Sequence, residues 1–216
     1  MECHTSSAAV SFSFVCVLAL LSFDLAPCNG ARVGPDHEDP TRRTTEFIRS
    51  SCGATEYPAL CFTSLSAYAS TIRTSPMQLA DVALAVCLSG ARNASSAMAK
   101  ASARRPGMAP GVAAAMADCV ESMGDAVSQL RESVAAMGRV GPAAGSAKEL
   151  AYQINSIQTW VSAALTDDDT CMDGFAGAAM EGEVKDMVKR HVVKVAQLTS
   201  NALALVNGFA SSVSPP

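Results

Sequence analysis

The two histidines that follow the first thirty residues are the side chains best suited to acid–base chemistry, yet neither has a fitting context. His37 lies in a polar segment without apolar periodicity, and His191 falls on the predicted inward face of the last long helix. A hydrolase of the Ser-His-Asp type would have to use His191, and the sequence has no G-x-S-x-G turn to expose a nucleophilic serine. We therefore interpret His191 as a satisfied or partly exposed core residue rather than a general base.

Metal ligation and phosphate binding are also weakly supported by the sequence. The run Asp167, Asp168 and Asp169 is similar to part of a calcium-binding loop, but the glycine and the distal glutamate of an EF-hand are missing. The cysteines lack the close paired spacing of a zinc site, and no glycine-rich phosphate loop occurs. The sequence therefore predicts neither a metal nor another cofactor, and no enzymatic activity. Binding to a partner becomes the expected function.

The N-terminus is typical of a secretory signal peptide. An apolar run over 8–25 is followed at 28–30 by Cys-Asn-Gly, small residues of the kind that a signal peptidase prefers. The residues before the run lack the usual Lys or Arg, and an uncleaved anchor helix is the alternative. We expect residues 1–30 to be removed and the mature protein to be secreted, with no membrane as its partner.

The composition favours one modest domain with a slightly acidic charge. Of 216 residues, 49% are hydrophobic and 5% aromatic, and 16 Lys and Arg stand against 20 Asp and Glu. No basic patch emerges from this balance, so nucleic acid is not expected as a partner. Asn93 begins an Asn-Ala-Ser acceptor pattern for glycosylation, and we leave open whether it is used or stays bare.

Secretion changes how the cysteines are interpreted. Three of the 8 belong to the leader, and five remain, which in an oxidising compartment suggests two disulfides and one thiol. Fifteen arrangements are possible. Cys52 and Cys61 are local to a predicted hairpin, whereas Cys119 and Cys171 fall at the same end of two antiparallel helices. We predict these two pairs and expect Cys87, mid-helix on an apolar seam, to be a free buried thiol.

Helical periodicity runs through most of the chain, and no alternating strand pattern competes with it. The central helix is predicted over 110–138, where apolar residues recur at steps of four and three. Capping boxes at 75–78 and 146–149 begin the helices before and after it, and the last long helix is predicted over 183–209. The residues of the central seam are Met116, Val120, Met123, Val127, Leu130, Val134 and Met137.

These elements predict an all-α fold, an N-terminal α-hairpin followed by an antiparallel up-and-down four-helix bundle with two disulfides. We assign 31–43 to a flexible lead-in, 44–74 to the hairpin, 75–210 to the bundle and 211–216 to a polar tail. The segment 166–175 is predicted to be a polar turn that carries the last cysteine.

An outward strip of polar residues lies opposite the central seam. Its members recur at steps of four, three and four, and they are Glu121, Asp125, Ser128 and Glu132. A solvated helix face is the ordinary explanation for such a strip, and composition alone does not go beyond it.

Three stretches resemble one known family. The first is the pair Cys52 and Cys61, which are separated by eight residues that include Tyr-Pro. The second, over 118–130, contains DCVE, then DAV, then Leu. The third is WVSAALTDDDTCMDGF over 160–175. They resemble the plant invertase and pectin methylesterase inhibitors over about 45–209. The resemblance implies an α-hairpin before a four-helix bundle with two successive disulfides, which agrees with the fold expected from periodicity.

The family combines two activities on this fold. Invertase inhibitors characteristically carry Pro-Lys-Phe near the last cysteine, where this chain has Thr-Asp-Asp-Asp-Thr, and this favours pectin methylesterase as the partner. The resemblance implies a one-to-one complex in which the second and third bundle helices cover the enzyme's cleft and exclude pectin, in the apoplast or cell wall. The implied contact residues are Glu121, Asp125, Thr170 and Asp173, with Ser128 at a position where some members have Asp.

Two alternatives stay open from the sequence. A cell-wall or vacuolar invertase could be the target, with the hairpin as the contact. The bundle could instead be a structural wall protein or a carrier without an enzyme partner. A carrier needs a cavity of several hundred cubic ångström, whereas seams of small residues pack helices closely.

Overall fold

Helices form almost all of the chain that the structure describes, which in this computed structural model comprises residues 39–104, 107–140, 145–177 and 180–213. All of these residues fall within one unit of the chain, 38–216. The predicted signal peptide, His37, most of the lead-in and the last residues of the tail lie outside the described ranges. The helices are α1 (Pro40–Gly53), α2 (Pro58–Leu65), a 3-10 turn (Ser66–Tyr68), α3 (Ala69–Ile72), α4 (Pro76–Ser102), α5 (Pro110–Met137), α6 (Ala147–Asp173) and α7 (Glu183–Val213).

The helix starts follow the predicted capping chemistry, with one addition. Ser75 accepts a hydrogen bond from the Gln78 amide at 3.3 Å, and Ser146 accepts one from the Glu149 amide at 3.2 Å, which satisfies amides that lack an intrahelical partner. The addition is Asp39, which accepts from the Thr41 amide at 3.0 Å and starts α1 at Pro40. The helix therefore begins inside the segment predicted as lead-in. Likewise, α7 continues to Val213, inside the predicted tail.

The bundle consists of α4 to α7, and each helix packs on two others. In ring order, α4 contacts α5, α5 contacts α6, α6 contacts α7, and α7 returns to α4. Met116, Met123, Leu130 and Met137 are buried along the α5 seam, as the spacing predicted. The predicted all-α hairpin and bundle is confirmed, and among the described residues no strand occurs.

Two predictions about individual segments were wrong. The expected polar turn at 166–175 is helical as far as Asp173, because α6 continues through the three aspartates. His191, expected on the inward face, is exposed, and its neighbour Val192 is fully buried in its place. The apolar seam of α7 is thus shifted by one residue at this turn, and the imidazole stays on the surface.

The arm formed by α1 to α3 is attached to the bundle by backbone hydrogen bonds. The Tyr57 amide donates to Asn201 Oδ1 at 3.0 Å, and Asn201 Nδ2 donates back to the Tyr57 carbonyl at 3.0 Å. Beside them, the Ser200 hydroxyl donates to Glu56 Oε2 at 2.8 Å. The buried Asn201 of α7 therefore forms hydrogen bonds with both the amide and the carbonyl of Tyr57, in the turn between α1 and α2.

A polar group sits inside the core near the middle of the bundle. Asp168 is 0% exposed, and its Oδ2 lies 3.3 Å from the Thr199 hydroxyl, which is also 2.9 Å from the Val195 carbonyl oxygen and 3.1 Å from Cys87 Sγ. Burial raises the pKa of Asp168 to about 8. The protonated carboxyl can donate to Thr199, leaving the threonine proton for Val195, so the neutral acid is the form that fits this site.

Both disulfides form as predicted, and Cys87 is the free cysteine of the described residues and is buried. Cys52 and Cys61 join α1 to α2 with Cα atoms 5.5 Å apart, and Cys119 and Cys171 join α5 to α6 with Cα atoms 4.3 Å apart. Burial raises the pKa of Cys87 to about 12, so this thiol is a poor nucleophile.

We predict that Cys119→Ser lowers the melting temperature more than Cys52→Ser. The bonds span sequence separations of 52 and 9 residues, and loop-closure entropy assigns about 4.2 kcal/mol to the longer loop against about 2.7 kcal/mol to the shorter. Thermal unfolding followed by circular dichroism compares the two variants. Equal shifts, or a larger one for Cys52→Ser, would contradict this ranking.

We predict that Asp168→Asn flattens the pH dependence of stability. The folded pKa of Asp168 lies above its ordinary value of 3.8, so the folded state holds the proton that the unfolded chain has released between these values. The free energy of unfolding therefore falls as pH rises from about 4 to about 8, by up to about 1.4 kcal/mol per pH unit. Urea unfolding at several pH values checks the slope, with exposed Asp169→Asn as the matched control. An unchanged slope in Asp168→Asn would refute the assignment.

Candidate functional site

The five residues expected to contact a partner are all exposed on α5 and α6. Glu121, Asp125 and Ser128 lie on α5, and Thr170 and Asp173 lie in the last turn of α6. Glu121 is two residues from Cys119, and the two α6 residues are within two of Cys171. The disulfide between these cysteines therefore holds Glu121 close to Thr170 and Asp173, while Asp125 and Ser128 lie six and nine residues beyond Cys119 along α5.

Antiparallel packing brings a further carboxylate to Asp125. Asp167, half-buried on α6, has its pKa raised mainly by burial and then by the negative charge of Asp125, while the nearby Gln129 amide lowers it. Thr170 lies three residues beyond Asp167 and so on the same side of α6. Four polar residues therefore lie along the line where α5 meets α6, which we call the α5/α6 groove: Asp125, Gln129, Asp167 and Thr170.

Two polar atoms in this groove are buried without a hydrogen-bond partner among the described residues. They are Gln129 Oε1 and Asp167 Oδ2. A buried oxygen without a donor destabilises the protein by roughly 1–3 kcal/mol. Because both oxygens are buried, a partner on the surface does not reach them, and they mark a strained polar contact between α5 and α6.

The hydroxyls of the site present lone pairs rather than protons. Ser128 Oγ donates to the Gly124 carbonyl at 3.0 Å, and Thr170 Oγ1 donates to the Thr166 carbonyl at 2.8 Å. With their protons directed to the helix backbone, these hydroxyls present lone pairs outward and can accept from a partner. Together with the carboxylates, they make a surface rich in acceptors, which requires donors such as Lys, Arg or backbone amides opposite.

Sequence reasoning missed Gln129 and Asp167 as members of the site. Asp167 was assigned to a turn, where three consecutive aspartates have no defined orientation. With α6 extended through 167–170, the spacing of three between Asp167 and Thr170 places them together. Gln129 is four residues after Asp125 on α5, and that spacing alone is a usable signal.

Two further properties of the described residues concern metal ligands and membrane-spanning helices. Within the described ranges, no group of three or more His, Cys, Asp or Glu side chains is arranged to hold a metal ion. Over the same ranges, none of the helices has the length and apolar character needed to cross a membrane.

The family model for "Plant invertase/pectin methylesterase inhibitor" matches residues 46–205. The chain is 46% identical over 167 residues to pectinesterase inhibitor 10 of Arabidopsis thaliana, covering 77% of this chain and 52% of that protein, so it spans about half of that relative. It is 44% identical over 166 residues to the 21 kDa protein of Daucus carota, covering 77% and 84%, and 45% identical over 166 residues to pectinesterase inhibitor 9 of Arabidopsis thaliana, covering 76% and 81%.

The fold also has a counterpart among solved structures. The crystal structure of a mutant form of a pectin methylesterase inhibitor from Arabidopsis superimposes with a TM-score of 0.58 at 20% identity, covering 74% of this chain and 95% of that one. The match over 46–205 includes the arm, the bundle and both disulfides. The chain belongs to the plant invertase/pectin methylesterase inhibitor family.

Proposed function

We propose that this protein is a secreted inhibitor of pectin methylesterase that regulates pectin de-esterification in the cell wall. The observation that carries the proposal is its similarity, at 42–46% identity over about three quarters of its length, to proteins named pectinesterase inhibitors. It acts as a binding protein and not as an enzyme, in keeping with its family.

The proposed mechanism is steric occlusion by a rigid helix pair. α5 and α6 cover the cleft through which pectin reaches the enzyme, in a one-to-one complex. Glu121, Asp125, Ser128, Thr170 and Asp173 orient the pair by accepting hydrogen bonds from the enzyme. The Cys119–Cys171 bond fixes the two helices before binding, and a preformed surface loses less conformational entropy on association.

The two alternatives receive less support. The names of the relatives favour pectin methylesterase over an invertase as the target. A carrier would need a roomy enclosed apolar cavity. The apolar hollow between the arm and the bundle, beside Cys61 and Leu205, has a volume of only about 10 Å³, and the larger groove of about 490 Å³ along α7 is wide open to solvent.

We predict that Asp125→Ala and Thr170→Ala each weaken inhibition of pectin methylesterase by about fivefold or more, since one hydrogen bond contributes about 1 kcal/mol. Neither residue is buried, so the melting temperature should stay nearly unchanged. Inhibition constants against pectin methylesterase and invertase at about pH 5 to 6 provide the measurement.

The matched controls for this pair lie on the same helices. Thr159→Ala removes an exposed threonine of α6 with the same intrahelical hydrogen bond, to Asn155 at 2.9 Å, and Glu132→Ala removes an exposed carboxylate of α5. Controls should inhibit as the parent does. If Asp125→Ala and Thr170→Ala also leave the inhibition constant unchanged, the assigned contact surface is wrong, and potent inhibition of invertase would redirect the target.

We predict that Asp167→Asn reduces the pH dependence of inhibition. Because the pKa of Asp167 is raised, its carboxyl keeps a proton to higher pH than an ordinary aspartate, and as pH rises its ionisation places a second negative charge beside Asp125. Inhibition should therefore weaken as the pH rises above 3.8, the ordinary aspartate value, in the parent protein and change less in the variant. Asp169→Asn, exposed two residues away, should keep the parent profile. Identical profiles for the parent and Asp167→Asn would count against the groove.

A further inference from the structure

Charge is segregated between the two sides of the bundle. α5 and α6 together carry nine Asp and Glu against two Lys and Arg, whereas α4 and α7 carry three Asp and Glu against six Lys and Arg. In the ring order of the helices, these pairs form opposite sides. The expectation that the chain has no basic patch was wrong, because a balance over the whole sequence averages the two sides.

The cations of α7 form a row along one helix. The row spans ten residues, or roughly 14 Å at the helical rise, and consists of Lys185, Lys189, Arg190 and Lys194. Lys185 pairs with Glu181 at 2.6 Å. Among the described residues, no carboxylate lies within ion-pairing distance of Lys189, Arg190 or Lys194. Three neighbouring cations on this side therefore lack a counter-ion within the described protein.

The row borders two hollows that share two of its cations. One is an open groove of about 490 Å³ between the arm and α7, lined by Leu60, Lys189, Arg190, Lys194 and Gln197, with Asp186 as its one carboxylate. The other, of about 160 Å³ between α4 and α7, also contains Arg190 and Lys194 and adds Asn93 and His191. The cationic ridge is thus flanked by amide groups that can hydrogen-bond to hydroxyls.

We propose that this α4/α7 face, defined by Lys189, Arg190, Lys194 and the two hollows, binds a linear polyuronate, the de-esterified form of pectin. A row of cations in an open groove matches a chain polymer with repeated carboxylates, and the flanking amides match its hydroxyl groups. Hydrolysis of the methyl esters turns a neutral polymer into this polyanion. The choice of polymer rests on the proposed function, whereas the charge row does not.

The face lies on the side of the bundle opposite the groove between α5 and α6. Polymer binding there leaves the enzyme-contacting residues free, so one molecule can hold the wall polymer and the enzyme together. The inhibitor would then be retained where de-esterification has already occurred. Binding at this face is expected to weaken with salt, since it is carried by exposed charges.

The test uses the full mature chain with Asn93→Gln in every variant, so that a glycan cannot cover the hollow. The groove variant is Lys189→Gln, Arg190→Gln and Lys194→Gln. The matched control is Arg73→Gln, Arg131→Gln and Lys148→Gln, which removes equal charge from exposed positions outside α4 and α7. Dissociation constants are measured by calorimetry with oligogalacturonate, with the same oligomer fully methyl-esterified, and with duplex DNA of equal charge.

The parent protein should bind oligogalacturonate and not the esterified oligomer. Its affinity should be lower at about 0.15 M salt than at low salt. The groove variant should lose tenfold or more in affinity, because all three of its cation–carboxylate contacts are removed. The affinity of the control should stay within about twofold of the parent. Lys189→Arg with Lys194→Arg should retain binding. No binding by the parent, an equal loss in the control, or equal or tighter binding to DNA would each overturn the proposal.

Inhibition of pectin methylesterase, measured on highly esterified pectin, separates this proposal from the proposed function. The groove variant should inhibit as the parent does, because its substitutions lie away from α5 and α6. Failure of the parent to inhibit, with oligogalacturonate binding intact, would refute the proposed function and leave the polyuronate face standing. Weakened inhibition in the groove variant alone would show that the face contacts the enzyme and would overturn its assignment to the polymer.

Discussion

Small side chains fill much of the space where the bundle helices meet, and this makes the bond between Cys119 and Cys171 the constraint on which the rest depends. Alanines are fully buried at 80, 91, 126, 136 and 164. Such contacts bring helices close but each removes little apolar surface from water. A covalent link of α5 to α6 limits the unfolded chain and fixes the relative position of the two helices that carry the site.

The three aspartates of α6 show how helix geometry distributes one run of identical residues. Successive residues turn by about 100°, so Asp167 faces the groove beside Asp125, Asp168 enters the core beside Thr199, and Asp169 faces solvent. Their chemistry differs accordingly: burial raises the pKa of Asp168 to about 8, and burial with a neighbouring charge raises that of Asp167. A neutral acid in the core, Asp168, thus directly follows Asp167, whose ionisation is opposed by the nearby charge of Asp125.

The fold was largely predictable because its determinants are local. Capping serines at 75 and 146, the apolar seam of α5 and the pairing of Cys119 with Cys171 all follow from spacing along the chain. The turn predicted at 166–175 failed because aspartate has a weak intrinsic preference for helix, which packing against the core overrides here. His191 was placed inward because its spacing fits the seam, whereas the adjacent Val192 gains more by burial.

The site was predictable only in part, and mostly through the family resemblance. The exposed positions Glu121, Asp125 and Thr170 carry no signal in composition that separates them from an ordinary solvated face. Gln129 and Asp167 depend on how α5 and α6 are placed side by side, which is a tertiary relation that single-helix spacing does not encode. Their buried, unpartnered oxygens become visible only when both helices are present.

The two opposite charge patterns have one further physical consequence. An acceptor-rich side on α5 and α6 and a cation-rich side on α4 and α7 give the bundle an electrostatic direction. In the proposed arrangement, a cationic partner surface would be attracted to one side and an anionic polymer to the other, because like charge disfavours the opposite placement. Orientation would therefore be set by charge before any close contact forms, and the Cys119–Cys171 bond keeps the two acidic helices joined while it is set.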